Sequence, residues 1–112
     1  MITMQQAIEV NQNAMRIRDL LLPVRDEQER DRQARAVVLG EAYNTWFQLR
    51  NNQPENVRIL EEANDNVHWA YVGYSMSTDK YNAIQDSLIL LSSIDCFIED
   101  ASKTIDSKGN EA

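Results

Sequence analysis

The chain has 112 residues, 43% apolar and 26% charged, with 3 Gly, 2 Pro and a net charge of −7. That is one small domain; so few turn formers exclude a turn-rich β fold or a disordered chain and favour helix. The acidic excess has the wrong sign for neutralising phosphates, so no direct nucleic-acid binding is expected. It is also unevenly placed, because residues 1–60 hold 8 Arg and 8 acids whereas residues 61–112 hold 3 Lys and 10 acids.

The first predicted helix, about residues 3–22, opens on Thr3 and Gln6, a capping-box spacing. Ala7, Val10, Ala14, Ile17 and Leu21 follow at steps of 3 and 4, flanked by Met4, Ile8, Met15 and Leu22. Pro23 is expected to end this helix. A second helix is expected from about residue 24, since proline suits a helix start and Asp26 to Arg30 and Asp31 to Arg35 are i,i+4 acid-to-Arg pairs. Its apolar face, Leu39, Ala42, Trp46 and Leu49, comes only in the second half, and Gly40 within it costs about 1 kcal/mol relative to Ala.

Asn51-Asn52-Gln53-Pro54 reads as a turn, and a third helix, about 55–75, carries the seam Leu60, Ala63, Val67, Ala70 and Tyr74. Ser77-Thr78-Asp79 offers N-caps for a fourth helix of about 79–106. There Ile84, Leu91, Ile98 and Ile105 share one line, with Leu88, Leu90, Ile94, Phe97 and Ala101 beside it. A helix apolar over so much of its girth is central in its fold or shared between subunits. The expected architecture is therefore all-α, a small antiparallel bundle of about four helices over residues 1–106, oligomeric, with a disordered tail at 107–112. Leu88, Leu90, Leu91, Ile94, Phe97 and Ile98 are the expected self-association residues.

Chemistry-bearing clusters are sparse. Cys96 and His68 are each single of their kind, which excludes an intramolecular disulfide and a structural zinc site closed by N and S ligands, and suits a reducing compartment. In an apolar helix Cys96 reads as a small hydrophobe. Gly40, Gly73 and Gly109 cannot build a phosphate loop. The N-terminal MITMQQAIEV has no signal-peptide pattern, and Leu20-Leu21-Leu22 and Leu88-Ile89-Leu90-Leu91 are too short to span a bilayer. A cytoplasmic location without a membrane partner is the expectation.

Glu61, Asp65 and His68 share a helix face, as half of a metal site would, but the seam assignment points them outward. Glu62-x-x-Asp65 resembles one arm of the acidic motif in all-α nucleotide pyrophosphohydrolases, where facing carboxylates hold magnesium. That alternative needs Asp26 with Glu29, or Asp95 with Glu99, as the second arm. A second alternative is an anionic ligand such as a nucleotide near the turn at 76–79, where Arg25, Tyr74, Ser75, Ser77, Thr78, Lys80 and Tyr81 would supply cations, hydroxyls and rings. Capping alone also accounts for Ser, Thr and Asp there.

Trp69 and Val72, with Tyr71 at the border, fall outside the third seam and suit a contact surface, or else complete the core. Arg25, Arg30, Arg32 and Arg35 offer planar multi-donor heads to a partner, or pair among themselves on a solvated helix. The favoured reading is a non-enzymatic interaction protein, an inhibitor, adaptor or regulatory subunit that needs no cofactor, binds another protein and forms a homodimer or higher homo-oligomer. An acidic decoy that mimics DNA is a variant of it.

Overall fold

Thr3 starts the first helix by the reciprocal arrangement its spacing predicts. The Thr3 amide donates to Gln6 Oε1 at 2.9 Å and the Gln6 amide donates to Thr3 Oγ1 at 3.1 Å. Helix α1 then runs over Met4–Asn52, and helix α2 over Val57–Asn110. This computed structural model describes the backbone of residues 3–110, and the side chains of residues 3–94, Cys96, Glu99, Asp100 and Lys103. No strand occurs among the described residues.

The chain is all-α, as expected, but it has two long helices where four were expected. Two of the predicted boundaries are absent. Proline in a helix interior removes one amide donor and crowds the carbonyl four residues back, which costs about 3 kcal/mol. Pro23 is nevertheless inside α1; it and Asp19 are both exposed, so the carbonyl left without a donor lies on the side open to water. The second missing boundary is at Ser77-Thr78-Asp79, which continues α2 without a break. Ser77 is buried and spends its hydroxyl on α1 instead of on a helix start.

The one turn between the helices is at 53–56, close to its predicted place. Asn56 caps α2, its Oδ1 accepting from the Ile59 amide at 3.3 Å while its carbonyl accepts from Leu60 at 3.1 Å.

Two compact units divide the described chain. The hairpin unit spans Asp26–Asn82. Its two helical segments run antiparallel, since Gln28 meets Ser77 and Arg35 meets Gly73. Their inner positions recur at steps of 3, 4 or 7 residues: Gln28, Arg32, Leu39, Ala42, Trp46 and Leu49 of α1 are half-buried, and on α2 Ala63 and Ser77 are buried with Leu60, Val67, Ala70, Tyr74 and Tyr81 half-buried beside them. This is the heptad spacing by which two helices share a seam.

The terminal unit is built from described residues up to Arg25 and from Ala83 onward. Ala7 and Ala14 of α1 and Leu91 of α2 are buried in it, with Leu21, Leu22, Ile84, Leu88 and Ile94 half-buried. Most of its other large apolar side chains stay exposed, led by Leu20 at 72%, Ile89 at 65% and Leu90 at 62%. Among the described residues no large side chain of the chain is fully buried, and no helix is long and apolar enough to cross a membrane.

Candidate functional site

Three features stand out, each contained in one unit. The first is a polar layer in the hairpin unit. Gln28 Nε2 donates to Ser77 Oγ at 2.9 Å and to the Ser77 carbonyl at 3.3 Å, and Ser77 Oγ donates to Asp31 Oδ2 at 2.6 Å. Arg35 pairs with Asp31 at 3.7 Å, as the i,i+4 spacing predicts. Its guanidinium occupies the space beside Gly73, where an added Cβ would lie 2.9 Å from Arg35 Nη1. The hydrogen bond from Ser77 is the main reason the Asp31 carboxyl sits below its usual value, with Arg35 and Lys80 adding to it. Arg32 holds Glu29 at 2.7 Å and lies over the Tyr81 ring at 4.9 Å. That hydrogen bond lowers the Glu29 carboxyl and raises the Arg32 guanidinium.

The second feature is a groove of about 790 Å³, also in the hairpin unit. Helix α1 contributes Ala36, Leu39, Gly40 and Tyr43. Helix α2 contributes Asn64, Asp65, Val67, His68, Tyr71 and Tyr74. Open space adjoins Gly40, where an added Cβ would meet nothing within 4 Å. Seven of the ten lining residues are exposed, so the feature is an open groove and not an enclosed cavity.

The third feature is the apolar surface of the terminal unit. On α1, Met4, Ile8 and Met15 form one exposed line, and Val10, Ile17, Leu20 and Val24 form another; Ile89 and Leu90 are exposed on α2. Of the expected self-association residues, Leu91, Leu88 and Ile94 are wholly or partly covered within this unit and Leu90 faces out. Phe97 and Ile98 lie outside the described residues. Cys96 is exposed rather than packed as a small hydrophobe.

The residues expected to meet a partner divide. Trp69, at 68% exposure, and Tyr71 project outward, while Val72 is half-buried. Arg30 is exposed and its Nε donates to the Asp26 carbonyl at 3.4 Å; Arg25 and Arg32 are half-buried, and Arg35 is committed to Asp31. The expected ligand site was to form at a turn. Tyr74, Ser77, Thr78, Lys80 and Tyr81 instead follow one another on a continuous helix, Ser77 facing α1 and Lys80 exposed. Thr78 Oγ1 is buried and makes no hydrogen bond.

Among the described residues no group of three or more His, Cys, Asp and Glu side chains is placed to hold a metal ion, so Glu61, Asp65 and His68 do not converge as a ligand set. Glu62 is exposed, and Glu29 of the second acidic pair is taken up by Arg32 and Gln33. The side chain of Asp95 lies outside the described residues. Sequence reasoning passed over the groove: it weighed Gly40 only as a cost to the helix, although Tyr43 follows it by 3 residues and His68 precedes Tyr71 by 3, both spacings that share a helix face.

No protein-family model, no curated protein and no solved structure matches this chain.

Proposed function

We propose that this protein is a non-enzymatic helical interaction protein, an adaptor or regulatory subunit, whose terminal unit associates with the same unit of a second copy. The observation that carries this reading is the mismatch between what that unit buries and what it exposes. Among the described residues its buried apolar side chains are two alanines and one leucine, while nine large apolar side chains stand open to solvent. Two alanines and a leucine provide little of the hydrophobic stabilisation that must offset the entropy of ordering a chain.

A two-fold arrangement lets the same lines, Met4, Ile8 and Met15 or Ile17, Leu20 and Val24, meet themselves across the axis. Trp69, on the other unit, then remains for a partner protein, where large amphipathic rings supply most binding energy.

Sedimentation of the intact chain and of a Leu20→Lys/Leu90→Lys variant tests this reading. Wild type is expected at a multiple of 12.9 kDa, and the variant, with two charges in the contact, at lower mass and with lower helix content. A wild type that sediments as a monomer, or a variant of unchanged mass, contradicts it.

A further inference from the structure

We infer that the groove of the hairpin unit is a binding site for a small organic cation with a flat or aliphatic body, the ammonium or guanidinium group being held by Asp65 and the tyrosine rings. This does not rest on self-association, which concerns the other unit. Four aromatic side chains, Tyr43, Tyr71, Tyr74 and His68, line the groove. Asp65 is the one acidic side chain lining it, and no Lys or Arg lines it. A ring face attracts a cation through its quadrupole, and a carboxylate adds a direct ion pair. Phosphate or carboxylate ligands find no permanent cation there, which separates this site from the nucleotide site considered near residues 74–81. The net charge of −7 also raises the local concentration of cations.

Gly40 is the second observation. Glycine weakens a helix interior, and here no close contact requires it, since a Cβ would meet nothing within 4 Å. What adjoins it is open groove. Three of the aromatic side chains also have neighbours before any ligand arrives. Tyr43 packs against Trp46 at 5.7 Å between ring centres, His68 meets Trp69 edge-on at 5.4 Å, and Tyr74 is engaged by Arg32. A site whose side chains are already placed loses less entropy on binding.

The test is an NMR titration of the full chain with tryptamine, an indole carrying an ammonium group, against indole-3-propionate, which has the same ring and a carboxylate. Tryptamine is expected to shift the amide signals of residues 40, 43, 65, 68 and 71 saturably, with the carboxylate binding at least about tenfold more weakly. Gly40→Leu, whose Cβ would meet nothing within 4 Å, adds a side chain at the groove and is expected to abolish the shifts while keeping full helix content. Asp65→Asn removes the ion pair and is expected to narrow the difference between the two ligands several-fold, the rings still favouring the cation. Equal binding of both ligands to wild type, shifts that persist in folded Gly40→Leu, or no saturable shift at all would overturn the inference.

Discussion

Ser77 joins two side chains of α1 through one hydroxyl and one carbonyl, accepting from Gln28 and donating to Asp31 at the seam of the hairpin unit. Ser77→Ala removes the two interhelical hydrogen bonds that its hydroxyl makes, with Asp31 and Gln28, and should destabilise the protein by about 0.5–1.5 kcal/mol in urea unfolding at neutral pH. One position on, Thr78 Oγ1 is buried with no hydrogen bond. Thr78→Val replaces that hydroxyl with a methyl of similar shape and should raise stability by about 1 kcal/mol. Neighbouring hydroxyls thus respond with opposite signs, and equal losses at both positions would contradict the assignment of partners.

The acid limb of stability follows from the same layer. Asp31 is lowered chiefly by the Ser77 hydrogen bond and Glu29 chiefly by the Arg32 hydrogen bond, so the folded state binds protons less readily than the unfolded chain. Both contributions are fully present above the ordinary values of 3.8 and 4.5 and are lost as pH falls through the lowered ones. The urea midpoint should therefore drop on acidification below about pH 4.5. Asp31→Asn should flatten part of that drop, and an unchanged acid limb in this variant would count against the Ser77 contact.

At the scale of elements, the seams Leu39, Ala42, Trp46, Leu49 and Leu60, Ala63, Val67, Ala70, Tyr74 were legible because apolar residues recur there at steps of 3 and 4. The Thr3 and Gln6 cap and the turn near Pro54 were legible from residue chemistry. The number of helices was not. Gln28, Arg32 and Arg35 continue the heptad steps of α1 in polar residues, and Ser77 does the same in α2, so the apolar pattern lapses where the helices continue. A serine hydroxyl serves a helix start and an interhelical bond equally well, and only the facing Asp31 decides between them. The groove was illegible for a related reason, because an absent side chain at Gly40 acquires meaning only from the residues across from it.

Pro23 gives the sharpest check on the continuity of α1. Inside a helix it costs stability, and at a boundary it fixes the chain favourably. Pro23→Ala should accordingly raise stability by about 1–3 kcal/mol in thermal or urea unfolding, with helix content unchanged. A loss of stability would mean that the chain turns there.

For the whole molecule, the central claim is that the terminal unit reaches full stability only against a second copy. Among the described residues its exposed Met, Ile, Val and Leu side chains outnumber its buried apolar ones, and its seam on α1 is held by the small side chains Ala7 and Ala14. Apolar contacts between chains of charge −7 should also strengthen with salt, which screens their mutual repulsion. Folding that depends on association depends on protein concentration, because mass action couples the two. The most direct measurement is the thermal unfolding midpoint of the intact chain across a hundredfold range of concentration, followed by circular dichroism. The account predicts a midpoint that rises steadily with concentration. A cooperative midpoint that stays constant across that range would contradict it.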